Sequence, residues 1–306
     1  MTIVAQTPVN LIFDTDLGGD YDDVGAMAIL HTLADKGEVN ILGTIACNKS
    51  KYIASAINAI NIYCKRPNIP VGVVHGRAVN ITAWQKWDSL LVARYPHKIK
   101  SNAQAIEATA LYRQILAKQP DHSVTICTVG FLTNLQNLLE SKPDKFSPLN
   151  GLELVRRKVK VLVSMAGRFP EGSEYNIQCD PIAAQIVAEQ WPTNIVFSGW
   201  EIGNAIYTGL PLVQNESIKN SPIKDVFAHA MPQAKSDANG RMSWDETAVL
   251  VAVRGIEPYY SVVEGRMNIR EWGKNEWNKN GKGHFYLVEK MPVPQIEKLL
   301  NDLMMR

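Results

Sequence analysis

Apolar stretches of strand length alternate with stretches of helical periodicity along most of this chain, and that alternation leaves few folds open to it. Strand-like runs occupy residues 9–13, 41–46, 70–74, 124–128, 159–165 and 194–197; helical patterns occupy 24–33, 53–63, 103–117, 132–140 and 181–190. A strand, a helix and a second strand in succession pack as a parallel pair with the helix across one face. Repeated this often, the pattern predicts an α/β fold with a mainly parallel, doubly wound sheet and helices on both faces. No linker, internal repeat or low-complexity tract divides the 306 residues, so a single domain spanning 1–306 is expected. Two segments break the rhythm: 80–101, polar and aromatic with Trp84, Trp87 and Tyr95, and 211–242, rich in loop with short helical stretches. Irregular insertions of this length tend to carry function or to move. Residues 268–283 predict a hairpin loop, and 294–304 an amphipathic helix.

Composition narrows the function classes. Lys and Arg total 32 against 30 for Asp and Glu, a net charge of +2, without the positive excess of a dedicated nucleic-acid binder. No apolar run reaches the roughly 18 residues needed to span a bilayer. Residues 1–10 lack the basic and apolar parts of a secretory signal, which favours the cytoplasm and leaves open a secreted or periplasmic protein whose leader was removed. Cys47, Cys64, Cys127 and Cys179 show no metal-type spacing and read as small core residues.

The chemistry concentrates in residues 14–23, Asp-Thr-Asp-Leu-Gly-Gly-Asp-Tyr-Asp-Asp, where five carboxylates fall within ten residues between an apolar strand and an apolar helix. The carboxyl end of a strand is where open α/β sheets bind ligands. Five like charges there are costly unless something positive compensates, and a helix N-terminus contributes typically under about 1 kcal/mol per charge. All the donors are oxygens, so a hard ion such as Ca²⁺ or Mg²⁺ is implied.

Two families place Asp-x-Asp after their first strand. Haloacid-dehalogenase-type phosphatases use the first Asp as nucleophile with Mg²⁺, and need a downstream Lys and a later acidic motif that find no convincing place here. The loop more closely resembles Asp-x-Asp-Pro-Gly-x-Asp-Asp, the fingerprint of the inosine-uridine-type nucleoside hydrolases, and later segments resemble that family in order. Gly43-Thr44-Ile45-Ala46-Cys47-Asn48 is similar to Gly-x-Thr-x-x-x-Asn without its Thr. Val129-Gly130-Phe131-Leu132-Thr133-Asn134 is similar to Thr-Gly-Pro-Leu-Thr-Asn, and Ser164-Met165-Ala166-Gly167 to a Met-Gly-Gly turn. Glu174-Tyr175-Asn176, followed by Asp180-Pro181, resembles Glu-Phe-Asn-x-x-x-Asp-Pro, and Trp244-Asp245 stands where the family has His-Asp or Trp-Asp.

The resemblance implies an N-ribosyl hydrolase acting on ribonucleosides, with a suspected purine preference, and a homo-oligomer (dimer or tetramer) engaging neither nucleic acid nor membrane. It makes Asp16 both a Ca²⁺ ligand and the general base, with Asp23, Asp245 and the Val129 carbonyl as the other metal ligands. Asn48, Glu174 and Asn176 would hold the ribose. The reaction resembles glycoside hydrolysis through an oxocarbenium-like transition state. The loop is two residues longer than the family pattern, so Asp22 is the ribose 2-hydroxyl partner if the helix start is the anchor, and Asp20 if Asp16 is. The helix anchor is preferred. Asp14 is expected to support the site from behind and Asp180 to cap the helix opened by Pro181. Trp244 would stack on the base, with Trp84 or Trp87 as the second slab, and His229 is an alternative acid. Arg168 and Arg241 lie beside the motifs and could select an anionic substrate. An Asp-x-Asp phosphatase and a calcium-dependent riboside-binding protein without turnover are the competing readings.

Overall fold

Leu11 and Phe13 of the first strand enter one buried apolar cluster, and Ile12 between them enters a second. A strand buried on both faces reads as a continuous apolar run rather than as an alternation, which is why the first strand is legible in the sequence. A computed structural model describes residues 7–306, so the reading of residues 1–10 falls largely outside the described residues.

Among the described residues the main sheet has eleven strands. In chain order they are β1 (Val9–Thr15), β2 (Val39–Ala46), β3 (Val71–Val73), β4 (Ile106–Glu107), β5 (Val124–Thr128), β6 (Val159–Met165), β7 (Glu171–Ser173) and β8 (Asn194–Ser198). A separate two-stranded ribbon, β9 (Tyr207–Thr208) with β10 (Arg241–Met242), intervenes before β11 (Tyr260–Ile269), β12 (Lys274–Asn278) and β13 (His284–Glu289). The order across the large sheet is β4-β3-β2-β1-β5-β6-β8-β13-β11-β12-β7. Pairing is parallel from β4 through β13 and antiparallel over the last three ladders. The expected doubly wound α/β domain is therefore present, extended by an antiparallel ribbon that includes the hairpin expected over 268–283.

Register brings the strand ends to one edge. Asp14 pairs with Ile45 and Thr128, Thr128 with Ser164, and Met165 with Ser198. The residues immediately beyond these strands, including Asp16, Cys47 and Val129, therefore line up along the carboxyl edge. Helices Asp22–Asp35, Ile53–Tyr63, Trp244–Arg254 and Val293–Met304 build the core on one face; Ala108–Lys118, Thr133–Glu140, Gly151–Lys158 and Pro181–Gln190 build the other.

Two elements depart from expectation. The helix expected over 103–117 begins at Ala108, because Glu107 accepts hydrogen bonds from the amides of Thr109 (3.0 Å) and Ala110 (2.8 Å) and so caps it; β4 ends on that capping residue. The helix Gly151–Lys158 escapes the hydrophobic pattern, since its start is set by a capping box between Asn150 and Glu153. The irregular segment 80–101 contains the helix Trp87–Arg94, and 211–242 holds short helices as expected. Cys47, Cys64 and Cys127 are buried and Cys179 is half-buried, all as free thiols. Among the described residues no helix is long and apolar enough to cross a membrane.

Candidate active site

A cleft of about 400 Å³ opens at the carboxyl edge of the sheet, and Asp16, Asp20, Asp22, Val129, Glu174, Asn176, Trp84, Trp244 and Asp245 all line it. Motifs separated by more than 200 residues thus converge on one concavity of the size that holds a small ligand.

The acidic loop is built in layers. Asp14, still in β1, is completely buried and accepts from Tyr112 Oη (2.8 Å), Asn134 Nδ2 (2.8 Å) and Thr128 Oγ1 (3.4 Å). Burial pushes its carboxyl up to about 7 despite those donors, and it stands behind the cleft wall, as expected of a supporting residue. Asp16 lines the cleft floor at 6% exposure, and its carboxyl is driven well above the ordinary range, first by burial and then by Asp23, Asp20 and Asp22. Asp23 accepts the Thr15 hydroxyl on Oδ1, while its Oδ2 is buried without a partner. Burial is the leading cause of its raised pKa, followed by Asp20 and Asp22. Asp245, in the first turn of Trp244–Arg254, is likewise buried and raised well above its usual range by burial and then by the loop carboxylates.

Close backbone approach tightens this arrangement. A Cβ on Gly130 would stand 2.6 Å from the Asp16 amide nitrogen and 2.7 Å from Cys47 Sγ, so the turn after β5 requires glycine to pass this close to the acidic loop.

Glu174 caps the short helix Tyr175–Cys179. Its Oε1 accepts from Asn176 N (2.7 Å) and its Oε2 from Gly167 N (3.1 Å) and Ile177 N (3.2 Å); burial raises its carboxyl to about 7. Asn176 Nδ2 donates to the carbonyls of Val129 (3.0 Å) and Met165 (3.1 Å), which orients the amide while the residue still lines the cleft. Asp180 caps Pro181–Gln190 by accepting from Ala183 N at 3.3 Å.

Asn48 is placed differently from expectation. It is wholly buried and does not line the cleft. Its Nδ2 donates to the carbonyls of Asp16 (2.9 Å) and Ile81 (2.7 Å), and its Oδ1 accepts from the amides of Ser50 (3.2 Å) and Ile81 (3.0 Å). With its amide saturated by backbone, Asn48 fastens the acidic loop to the segment that carries Trp84 instead of facing a sugar. Trp87 is also fully buried in the core, whereas Trp84 is 61% exposed at the cleft. His229 lies at 2.8 Å from the Gln85 carbonyl through Nε2, away from the cleft.

Three contributions were not assigned roles from the sequence. Trp200 lies two residues past β8, and its position just beyond a strand end was the available signal. Its ring lies 6.5 Å from that of Trp244, and its carbonyl accepts the Trp244 indole N–H at 2.9 Å. Tyr175 and Met165, quoted only as motif members, also line the cleft. Arg241 reaches Asp20 through Nη2, and Asp22 Oδ1 through Nε (3.1 Å) and Nη2 (3.0 Å), which occupies the side chain proposed from sequence as an anion selector. Burial leads the rise of Asp22 to about 7, followed by Asp20, with Arg241 opposing both.

The donor set of Asp16, Asp23, Asp245 and the Val129 carbonyl fits a hard divalent cation, since all are oxygens and Asp23 Oδ2 is orphaned in the interior. Among the described residues no three acidic, His or Cys side chains are already gathered closely enough to hold an ion, so binding would draw them together.

The chain is 27% identical over 197 residues to an uncharacterized protein of Schizosaccharomyces pombe, a match covering 58% of this chain and 57% of that relative's length. A purine-preferring ribonucleoside hydrolase from Gardnerella vaginalis shares the fold with a TM-score of 0.76 at 17% identity, covering 97% of this chain and 99% of that one. An inosine-uridine preferring nucleoside hydrolase from Bacillus anthracis does so with a TM-score of 0.74 at 16% identity and the same coverage. The family model for inosine-uridine preferring nucleoside hydrolases matches residues 11–289, and the chain belongs to that family of N-ribosyl hydrolases.

Proposed function

We propose that this protein hydrolyses the N-glycosidic bond of ribonucleosides to free base and ribose, with purine nucleosides preferred and Ca²⁺ as the metal. The observation that carries the reading is the set of buried carboxylates without a cationic partner, Asp16, Asp23 and Asp245, beneath a wall of paired indoles. Members of this family are generally metal-dependent. Asp16, Asp23, Asp245 and the Val129 carbonyl would hold the ion, which when bound offsets the crowded charge and makes nearby water more acidic.

The chain's own groups supply the rest. Asp16 at the cleft floor accepts the proton of the attacking water as general base. Water oxygen bonds to the anomeric carbon as the bond to the base nitrogen breaks; the departing base takes a proton from solvent, and Asp16 returns its own proton to solvent. Asp22, Glu174 and Asn176 hold ribose hydroxyls at the cleft. Trp244, backed by Trp200 and sharing the cleft wall with the exposed Trp84, stacks on the base, and the match in fold to a purine-preferring hydrolase supports the purine preference. One catalytic domain per chain, homo-oligomeric assembly and a place in purine salvage belong to the same proposal.

Base release from inosine, adenosine, guanosine, uridine and cytidine, with Ca²⁺ and after chelation, tests it in wild type and Asp16→Ala. Calcium-dependent release lost in Asp16→Ala is the expected result. Binding of nucleosides without release from any of them would replace the hydrolase reading with that of a riboside-binding protein.

A further inference from the structure

The acidic loop is two residues longer than the family pattern it resembles, and the excess falls in the stretch Gly19-Asp20-Tyr21. Both Asp20 and Tyr21 are held by one short segment far away in sequence. Tyr21 Oη donates to Asp237 Oδ2 at 2.5 Å, and Asp20 pairs with Arg241. The guanidinium of Arg241 lies 5.2 Å from the Tyr21 ring and 5.0 Å from the Trp244 ring. Its third carboxylate neighbour, Asp237, is 3.9 Å from Nη1.

On Asp22 the contact is one-sided. Nε and Nη2 of Arg241 both donate to Oδ1, and Oδ2 has no partner among the described residues, although Asp22 lines the cleft. A rigid guanidinium fork on one oxygen fixes the carboxylate plane and presents the other oxygen to the cleft. The same guanidinium packs on Trp244, the base-facing indole of the proposed function. We infer that Arg241 is a positioning residue for substrate selection: it aims Asp22 Oδ2 at the ribose 2-hydroxyl and couples that aim to the base wall. Lys at this position would keep the charge without the planar fork, so charge and geometry are separable.

The inference rests on the nucleoside hydrolase reading, and the test separates the two. Binding by calorimetry and turnover of inosine and 2-deoxyinosine are measured in the presence of Ca²⁺ for wild type, Arg241→Lys, Arg241→Gln and Asp22→Asn. Wild type is expected to favour inosine by at least about 100-fold in kcat/KM, a floor below the roughly 10⁴–10⁵ by which a site built to hydrogen-bond a hydroxyl rejects the analogue lacking it. Arg241→Lys should narrow the ratio about tenfold through poorer use of inosine, at a melting temperature near that of wild type. Asp22→Asn should narrow it further, and adding Arg241→Lys to Asp22→Asn should change it no more, since both act through one contact. If Arg241→Gln fails to fold, Arg241→Lys and the double variant still decide. A wild-type ratio in Arg241→Lys, or additive effects in the double variant, would overturn the inference and leave the hydrolase reading intact. Absence of inosine binding by wild type would sink both.

Discussion

Trp244 spends its only hydrogen-bond donor on the backbone carbonyl of Trp200, at 2.9 Å. An indole N–H tied in this way cannot protonate a departing base, which leaves its face for the stacking role proposed above. Base–aromatic stacking is worth roughly 1–3 kcal/mol. Trp244→Ala is therefore expected to raise KM for inosine by about tenfold or more, with a smaller effect on uridine, and Trp244→Phe to restore most of the loss. Steady-state kinetics on the two substrates checks this. An equal loss on both would show that the indole does not read the base.

Asp16 is crowded by Asp23, Asp20 and Asp22 in a buried setting. Replacing it with Asn removes a charge that destabilises the cation-free fold and, in the same step, removes the proposed base. Asp16→Asn should cut kcat by about 10²–10⁴-fold, the range typical of a lost general base. The chelated variant should melt higher than chelated wild type. Differential scanning calorimetry beside turnover measurement tests both halves; a variant that is inactive and also less stable would argue for a structural carboxylate.

Stability should depend on pH with a definite sign. Burial raises the carboxyls of Asp14 and Glu174 to about 7, so between the unfolded value near 4 and pH 7 the folded state holds protons that the unfolded chain has released. A group whose pKa rises on folding stabilises most at low pH, and that contribution fades as pH climbs through this window. Each such group costs about 1.4 kcal/mol per pH unit there. Chelated protein is expected to lose melting temperature steadily from pH 5 to pH 7. Saturating Ca²⁺ should raise stability at pH 7 by about 2.7 kcal/mol at a hundredfold excess over Kd. Thermal melts across pH, with and without the ion, provide the check; a flat profile without calcium would contradict the assignment.

Asn48 satisfies four backbone groups and meets no cleft surface. Asn48→Ala should therefore lower stability by about 2 kcal/mol or more, because buried carbonyl and amide groups lose their partners. Its effect on KM should be smaller than that of Asn176→Ala, a residue at the cleft wall. Urea unfolding midpoints compared with KM for both variants decide between a fastening and a sugar-binding role.

Much of this was legible in the chain because it is local. A strand, an acidic turn and a helix start within 30 residues place Asp14, Asp16 and Asp23 on their own, and a motif ending in Pro181 places Asp180 at its cap. The Glu107 cap was missed because a helical pattern continues across it. Trp200 belongs to none of the motifs that carry the family resemblance, and only its place just past β8 marked it. The pairing of Arg241 with Asp20 and Asp22 joins residues 221 and 219 positions apart, a distance no local pattern spans. Asn48 was nominated by the resemblance of residues 43–48 to a family stretch, and the saturation of its amide depends on the position of Ile81 in space, which no local pattern gives.

The strand that delivers Asp14 and Asp16 is gripped between two apolar clusters, Leu11 and Phe13 in one and Ile12 in the other. The acidic loop therefore takes its bearing from side chains that never meet the substrate. A methyl group lost at Ile12 would register as misdirected carboxylates before it registered as a failure to fold. The selective pressure exerted by the chemistry thus falls on some of the least polar residues of the chain.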